Sequence, residues 1–215
     1  MTAPDPAPAT DRDLLRAFAD RADGAAFAAL VGRYGGFVRG VCRRVLGDGP
    51  DADDAFQATF LVLARAGGRP PEHLGGWLHA VAARTAQRAR AARAGRWRRE
   101  RPMPDVPAPQ PDPDWADVRP VLDEAVAALP EKLRAALVLC ELEGVGRATA
   151  AAALGVPEGT VSSRLARAKA ALRVRLVRRG VALTAAGVAA ALGDASPAAV
   201  PTGLAEATVA AAAGG

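Results

Sequence analysis

Apolar positions recur at spacings of three and four along most of this chain, and no alternation of apolar and polar residues lasts long enough to read as a strand. Leu14, Leu15 and Phe18 form a short patch after Asp11. Phe27, Leu30, Val31, Tyr34, Phe37, Val38, Val41, Cys42 and Val45 then predict a long amphipathic helix that stops at Gly47. Asp51 to Asp54 place carboxylates at the start of a third helix, where free N–H groups and the macrodipole favour negative charge; Phe56, Phe60 and Leu63 are its inward side chains. A Gly/Pro loop, Arg65 to Gly76, leads into a fourth helix from Trp77. Further on, Val121, Leu122, Ala125, Val126 and Leu129 share one face and Pro130 interrupts. Leu133, Leu137, Val138, Cys140 and Leu142 carry the next helix.

The sharpest pattern is Leu154 to Leu172. Gly155 follows an apolar-periodic run, the position of a left-handed helix terminator, and Pro157 suits the first turn of a new helix, so the stretch reads as a helix-turn-helix. Val161, Leu165, Ala168, Leu172 and Leu176 then form one apolar stripe. Ser163 and Arg167 point away from it, with Ser162, Arg164 and Lys169 on its flanks.

These patterns predict an all-α fold of two small helical domains, residues 11–101 and 119–179, the second containing the helix-turn-helix. A Pro/Asp-rich linker, 102–118, joins them, because its composition prevents helix and favours an extended spacer. Residues 1–10 read as disordered, and 180–215 as an Ala/Gly-rich tail of unexplained role.

Charge sharpens this picture. The formal net charge is only +5, but its distribution is uneven. Residues 84–101 hold eight arginines against the single Glu100, and residues 159–179 hold seven Arg or Lys and no acidic residue. Two such segments favour an anionic polymer as partner. Enzyme chemistry finds little support: no nucleophile–base arrangement, phosphate-cradling glycine loop or metal-ligand spacing appears, and His73 and His79 lack the company a metal requires. No catalytic residue, metal or cofactor is therefore predicted. Cys42 and Cys140 read as buried small hydrophobes rather than a disulfide, which fits a cytoplasmic location. No secretory signal or membrane span is expected, since the longest quiet apolar run is well short of the roughly 20 residues that a span needs.

Residues Leu129 to Leu172 resemble the promoter-binding region four of bacterial extracytoplasmic-function sigma factors. The telling words are Leu129-Pro130-Glu131, Glu143-Gly144, Leu154-Gly155-Val156-Pro157 and Gly159-Thr160-Val161 with Ser163-Arg164-Leu165. Asp51 to Phe60 resembles the region-two segment that docks on the RNA polymerase clamp, and Trp77-Leu78 heads a helix similar to the reader of the melted promoter strand.

The resemblance implies core RNA polymerase and promoter DNA as partners and leaves room for an anti-sigma factor. It assigns the upstream duplex to Ser162, Ser163, Arg164, Arg167, Lys169 and Arg173. The melted element falls to His73, Trp77 and His79 for stacking and to Arg84, Arg88 and Arg90 for phosphates; the competing role for Trp77 is a core residue sealing its helix. Polymerase docking falls to Asp54, Gln57, Leu61 and exposed parts of Phe56. Ala83-Arg84 and Ala58 depart from commoner relatives, and Gly146 replaces the usual Ser cap. A stand-alone helix-turn-helix regulator is the competing reading.

Overall fold

Among the residues that the computed structural model describes, 9–66, 73–100, 115–181 and 198–214, every regular element is a helix. Thr10 starts α1 (Asp11–Arg21) with a reciprocal capping box, its hydroxyl accepting from the Asp13 N–H while its own N–H reaches the Asp13 carboxylate. Asp23 caps α2 (Gly24–Leu46) by accepting from the N–H groups of Ala25 and Ala26. Gly47, at φ 81°, ends that helix as the sequence predicts. α3 (Pro50–Arg65) opens on a proline and has no side-chain cap, so Asp51 and Asp53 serve it through the dipole alone. α4 (Leu74–Glu100) begins three residues before Trp77 and continues through the arginine tract as one helix.

The inward faces of α1–α4 close around Phe27, Leu30, Val38, Phe56, Phe60 and Leu78, all buried. The Phe56 and Phe60 rings lie 5.0 Å apart, and Phe27 meets Phe60 edge-on at 6.3 Å. Each such side chain contributes about 1.5–3 kcal/mol through burial.

A second cluster is built by α5 (Trp115–Ala127), α6 (Glu131–Leu137), α7 (Arg147–Leu154) and α8 (Glu158–Arg178). α6 widens into a π-helical turn over Val138–Leu142. Gly155, at φ 62°, ends α7 in the left-handed conformation, and Pro157 directly precedes α8. Val161, Leu165, Ala168, Leu172 and Leu176 are all buried, the stripe that the spacing predicts. Gly146 stands at the start of α7 without a side-chain cap.

Two sequence boundaries shift. α5 begins at Trp115, inside the predicted linker, and carries Pro120 within it; the rest of that linker, 101–114, lies outside the described residues. Val181 belongs to the second cluster, and part of the tail has a defined place: Val200 and α9 (Thr202–Ala213) pack on the first cluster. Residues 1–8, 67–72 of the Gly/Pro loop and 182–197 of the tail also lie outside the described residues. The two clusters touch, with α5 and α6 against α2 and α4 and with Phe37 bordering both. No helix among the described residues is long and apolar enough to cross a membrane.

Candidate nucleic-acid interface

α8 owes its outer face to its inner one. Because five apolar side chains fix its rotation on the second cluster, Ser163, Arg167 and Arg173 are exposed, while Ser162, Arg164 and Lys169 sit half-buried on the flanks. Glu158 in the first turn is its only acidic residue, and Arg175 and Arg178 close the last turn, where the macrodipole favours cations. The Ser163 hydroxyl donates to the Thr160 carbonyl at 2.9 Å, which leaves it an acceptor toward a partner. Lys169 is partly committed: its Nζ lies 2.9 Å from Glu141 Oε1 on the π turn. Arg167 and Arg173 are thus the more accessible cations of this face. The far end of α8 is tied down by a two-pronged ion pair between Arg179 and Glu124 of α5.

The start of α4 has the opposite character. Arg134 of α6 is buried against it and donates from Nε to the Gly76 carbonyl at 2.9 Å, and from Nη1 to the carbonyls of Leu129 at 2.7 Å and Ala127 at 3.1 Å. Asp123 of α5 is buried beside His79, 3.0 Å from its Nε2, and accepts from Arg44 Nε at 2.8 Å and Nη2 at 3.0 Å. Burial alone pushes the Asp123 carboxyl up; the His79 hydrogen bond and the Arg44 charge overcome it and hold the group below its ordinary value. Its anion is the hub joining α2, α4 and α5.

Nearby, burial lowers the His73 pKa, so its ring is neutral near pH 7, and its Nδ1 accepts from the Gly76 N–H at 3.1 Å. Glu143, directly after the π turn, lies so close to Gly75 that a Cβ there would stand 2.1 Å from its Oε1. Burial, aided by the charge of Asp11, raises the Glu143 pKa to about 7.

This geometry corrects one stacking candidate. His79 is fully buried between Asp123 and the Phe37 ring, 6.0 Å centre to centre, so it offers no face to a base; its role here is to hold α5. His73 is half-buried and turned to its own helix. Trp77 is half-buried on the first cluster, close to the sealing role that competes with stacking. Arg84, Arg88 and Arg90 are exposed, and an open groove between α4 and α5 is lined by Arg84, Gln87, Arg88 and Glu124.

On α3, Asp54 is exposed, and Gln57 and Leu61 are half-buried. Phe56 has no exposed part at all: its ring is inside the first core, so its expected polymerase contact is corrected to a packing role. Asp51 and Arg93, distant in sequence, pair at 3.6 Å, and Asp53 pairs with Arg39 Nε at 3.1 Å.

Asp123, Arg44 and Arg134 escaped the sequence reading. A signal existed for two of them: Asp123 lies three residues before Val126 and Arg134 three before Leu137, each a charge on an apolar stripe. Arg44 carried no such mark, because its neighbour Arg43 has the same type and pairs outward with Asp48.

Comparison with known proteins covers both clusters. Residues 30–98 match the family described as Sigma-70 region 2, and residues 120–172 match Sigma-70, region 4. The ECF RNA polymerase sigma factor SigE of Mycolicibacterium smegmatis is 33% identical over 181 residues, 79% of this chain and 68% of that protein. The RNA polymerase sigma-H factor of Pseudomonas aeruginosa is 29% identical over 71% of this chain and 86% of that protein. A solved structure of CnrH in complex with the cytosolic domain of CnrY aligns at 24% identity over 78% of this chain and 97% of that chain, with a TM-score of 0.36. The ECF RNA polymerase sigma factor SigM of Mycobacterium tuberculosis is 33% identical over 76% of this chain and 83% of its own length. With that identity and coverage, and with regions two and four matched in order, the chain belongs to the ECF sigma factors, non-enzymatic subunits that direct transcription initiation by RNA polymerase.

Proposed function

We propose that this sigma factor reads its promoter at two points and docks on core polymerase at a third. α8 enters the major groove of an upstream duplex element, with Arg167, Arg173 and Ser163 foremost and Ser162, Arg164 and Lys169 on the flanks. The exposed arginines of α4, Arg84, Arg88 and Arg90, hold the backbone of a melted strand, and the accessible part of the half-buried Trp77 supplies a stacking surface. Asp54, Gln57 and Leu61 on α3 meet the polymerase clamp. Residues 11–101 and 119–179 act as the two reading domains, and the location that this work requires is the cytoplasm.

One observation carries the reading: α8 is fixed by five buried apolar side chains and turns an outer face with no acidic residue after Glu158 to solvent. An arginine–guanine pair on that face contributes about 1–3 kcal/mol of base discrimination.

The test is a footprint of core polymerase plus this protein on promoter DNA. The double variant Arg167→Ala/Arg173→Ala loses upstream protection while still binding core polymerase. Unchanged upstream protection would remove α8 from the duplex.

A further inference from the structure

The tail is seated on the molecule at a built site. Ala198 donates its N–H to the Gly36 carbonyl at 2.9 Å, and Arg39 Nη1 donates to the Ala199 carbonyl at 2.8 Å. Val200 then drops onto Gly35, where an added Cβ would lie 3.1 Å from Val200 Cγ2 and 3.7 Å from the Phe56 ring. A glycine inside a helix costs about 1 kcal/mol relative to alanine, and here it opens a seat that a side chain would crowd. From Pro201 the chain turns into α9, which crosses both α2 and α3. Leu204, Ala205, Val209 and Ala212 pack on the first core, and Thr208 between them is fully buried, its hydroxyl donating to the Leu204 carbonyl at 2.7 Å. These five positions make one helical stripe.

The flank of α3 toward this seat is set by helical spacing. Asp53, Gln57, Phe60 and Ala64 fall at i, i+4, i+7 and i+11, on one side of the helix. Asp53 is bonded to Arg39, the residue that also holds Ala199, and Ala64 packs on the same cluster as α9. Gln57, half-buried, lies between them on that flank, and Leu61, also half-buried, follows it by one turn.

We infer that residues 198–213 compete in cis with core polymerase for the α2/α3 surface. The inference rests on the reading of Gln57 and Leu61 as clamp contacts. A docked α9 packs on α3, whose flank carries Gln57, so polymerase must displace the tail before it seats fully. Because the competitor is tethered, it needs no second protein, and its effective concentration is set by the chain itself. Any partner that captured the tail's apolar stripe would raise the share of molecules able to bind polymerase.

Three arms test this with the full chain. In wild type, hydrogen exchange of residues 198–213 is followed with and without core polymerase; protection of α9 is expected to fall on complex formation. In two variants altered only in the tail, Val200→Asp/Leu204→Asp and Thr208→Lys, the affinity for core polymerase is expected to rise about tenfold, the factor that a docked fraction near nine-tenths produces by mass action. A synthetic peptide of residues 198–214 is expected to reverse that gain. Undiminished α9 protection in the complex, or equal affinities for wild type and both variants, overturns the inference. Gln57→Lys separates the two levels. If it abolishes polymerase binding while α9 stays protected in the wild-type complex, the docking surface stands and the tail inference alone fails. If it leaves binding unchanged, the docking reading fails and the tail inference with it.

Discussion

α8 and α4 carry the same kind of charge to opposite ends. Both are long arginine-bearing helices, yet α8 commits its apolar stripe and the flanking Lys169, paired with Glu141, to the fold and keeps Arg167 and Arg173 outward. The first turns of α4 are bound into the fold on every side. Arg134 holds the Gly76 carbonyl, Asp123 holds His79, and Glu143 presses on Gly75. A basic helix is therefore not by itself a reading surface. What decides is whether a neighbouring element supplies acceptors and carboxylates to its polar groups, as the buried network at the start of α4 does.

The largest effect expected from breaking this contrast comes at Asp123. Asp123→Ala leaves the half-buried Arg44 and the buried His79 without their shared anion, and loss of one partner of such a network costs about 3–5 kcal/mol. Urea unfolding should show a fall of that order, whereas Arg167→Ala on α8 should move stability by less than about 0.5 kcal/mol. Equal effects at both sites would erase the distinction.

A smaller loss is expected from Gly76→Ala. The added Cβ would meet the Ala135 Cα at 3.2 Å, a backbone atom that cannot swing aside, so α4 and α6 must part slightly. Overpacking of this kind costs about 1–3 kcal/mol. Gly75→Ala is expected to be milder, because its nearest obstacle is the movable end of the Glu143 side chain.

The pH dependence sharpens the same contrast. Glu143 has a folded pKa of about 7 against an ordinary 4.5. Between those values the folded state holds a proton that the unfolded chain has lost, so stability falls as pH rises through that window, by at most about 3 kcal/mol. Glu143→Gln should flatten that slope. Asp123 acts in the other direction: its pKa is held below the ordinary carboxylate value, so its contribution is present above that value and disappears as pH falls beneath it. A Glu143→Gln variant with the wild-type slope would remove Glu143 from the buried contact.

The weakest effect on the fold and the clearest on binding comes from Arg167→Ala/Arg173→Ala. Every arginine–phosphate pairing that the double variant removes should lower the magnitude of the log–log salt slope of duplex binding by about 0.9.

Much of this was legible in the sequence, for reasons that separate the two helices. The α8 stripe follows from local spacing alone, and all five of its apolar residues are buried. The fate of His79 depended on Asp123, 44 residues away, and no local pattern couples them. Phe56 read as inward from its spacing, and only the family resemblance gave it an exposed part. Its burial follows from Phe60 and the tail packed around it. The tail itself has no aromatic residue and little charge, and its place on α2 depends on distant partners, the space at Gly35 and the Gly36 carbonyl and Arg39 side chain beside it. Local periodicity finds which face is buried; it does not find what buries it.

The most direct measurement is sequencing the 5′ ends of transcripts made on genomic DNA by core polymerase, alone, with this protein, and with its Arg167→Ala/Arg173→Ala variant. New start sites that share an upstream element, and that fade with the variant, are the expected result. Start sites identical to those of core polymerase alone, with the protein binding duplex just as tightly by itself, would contradict two-point promoter reading.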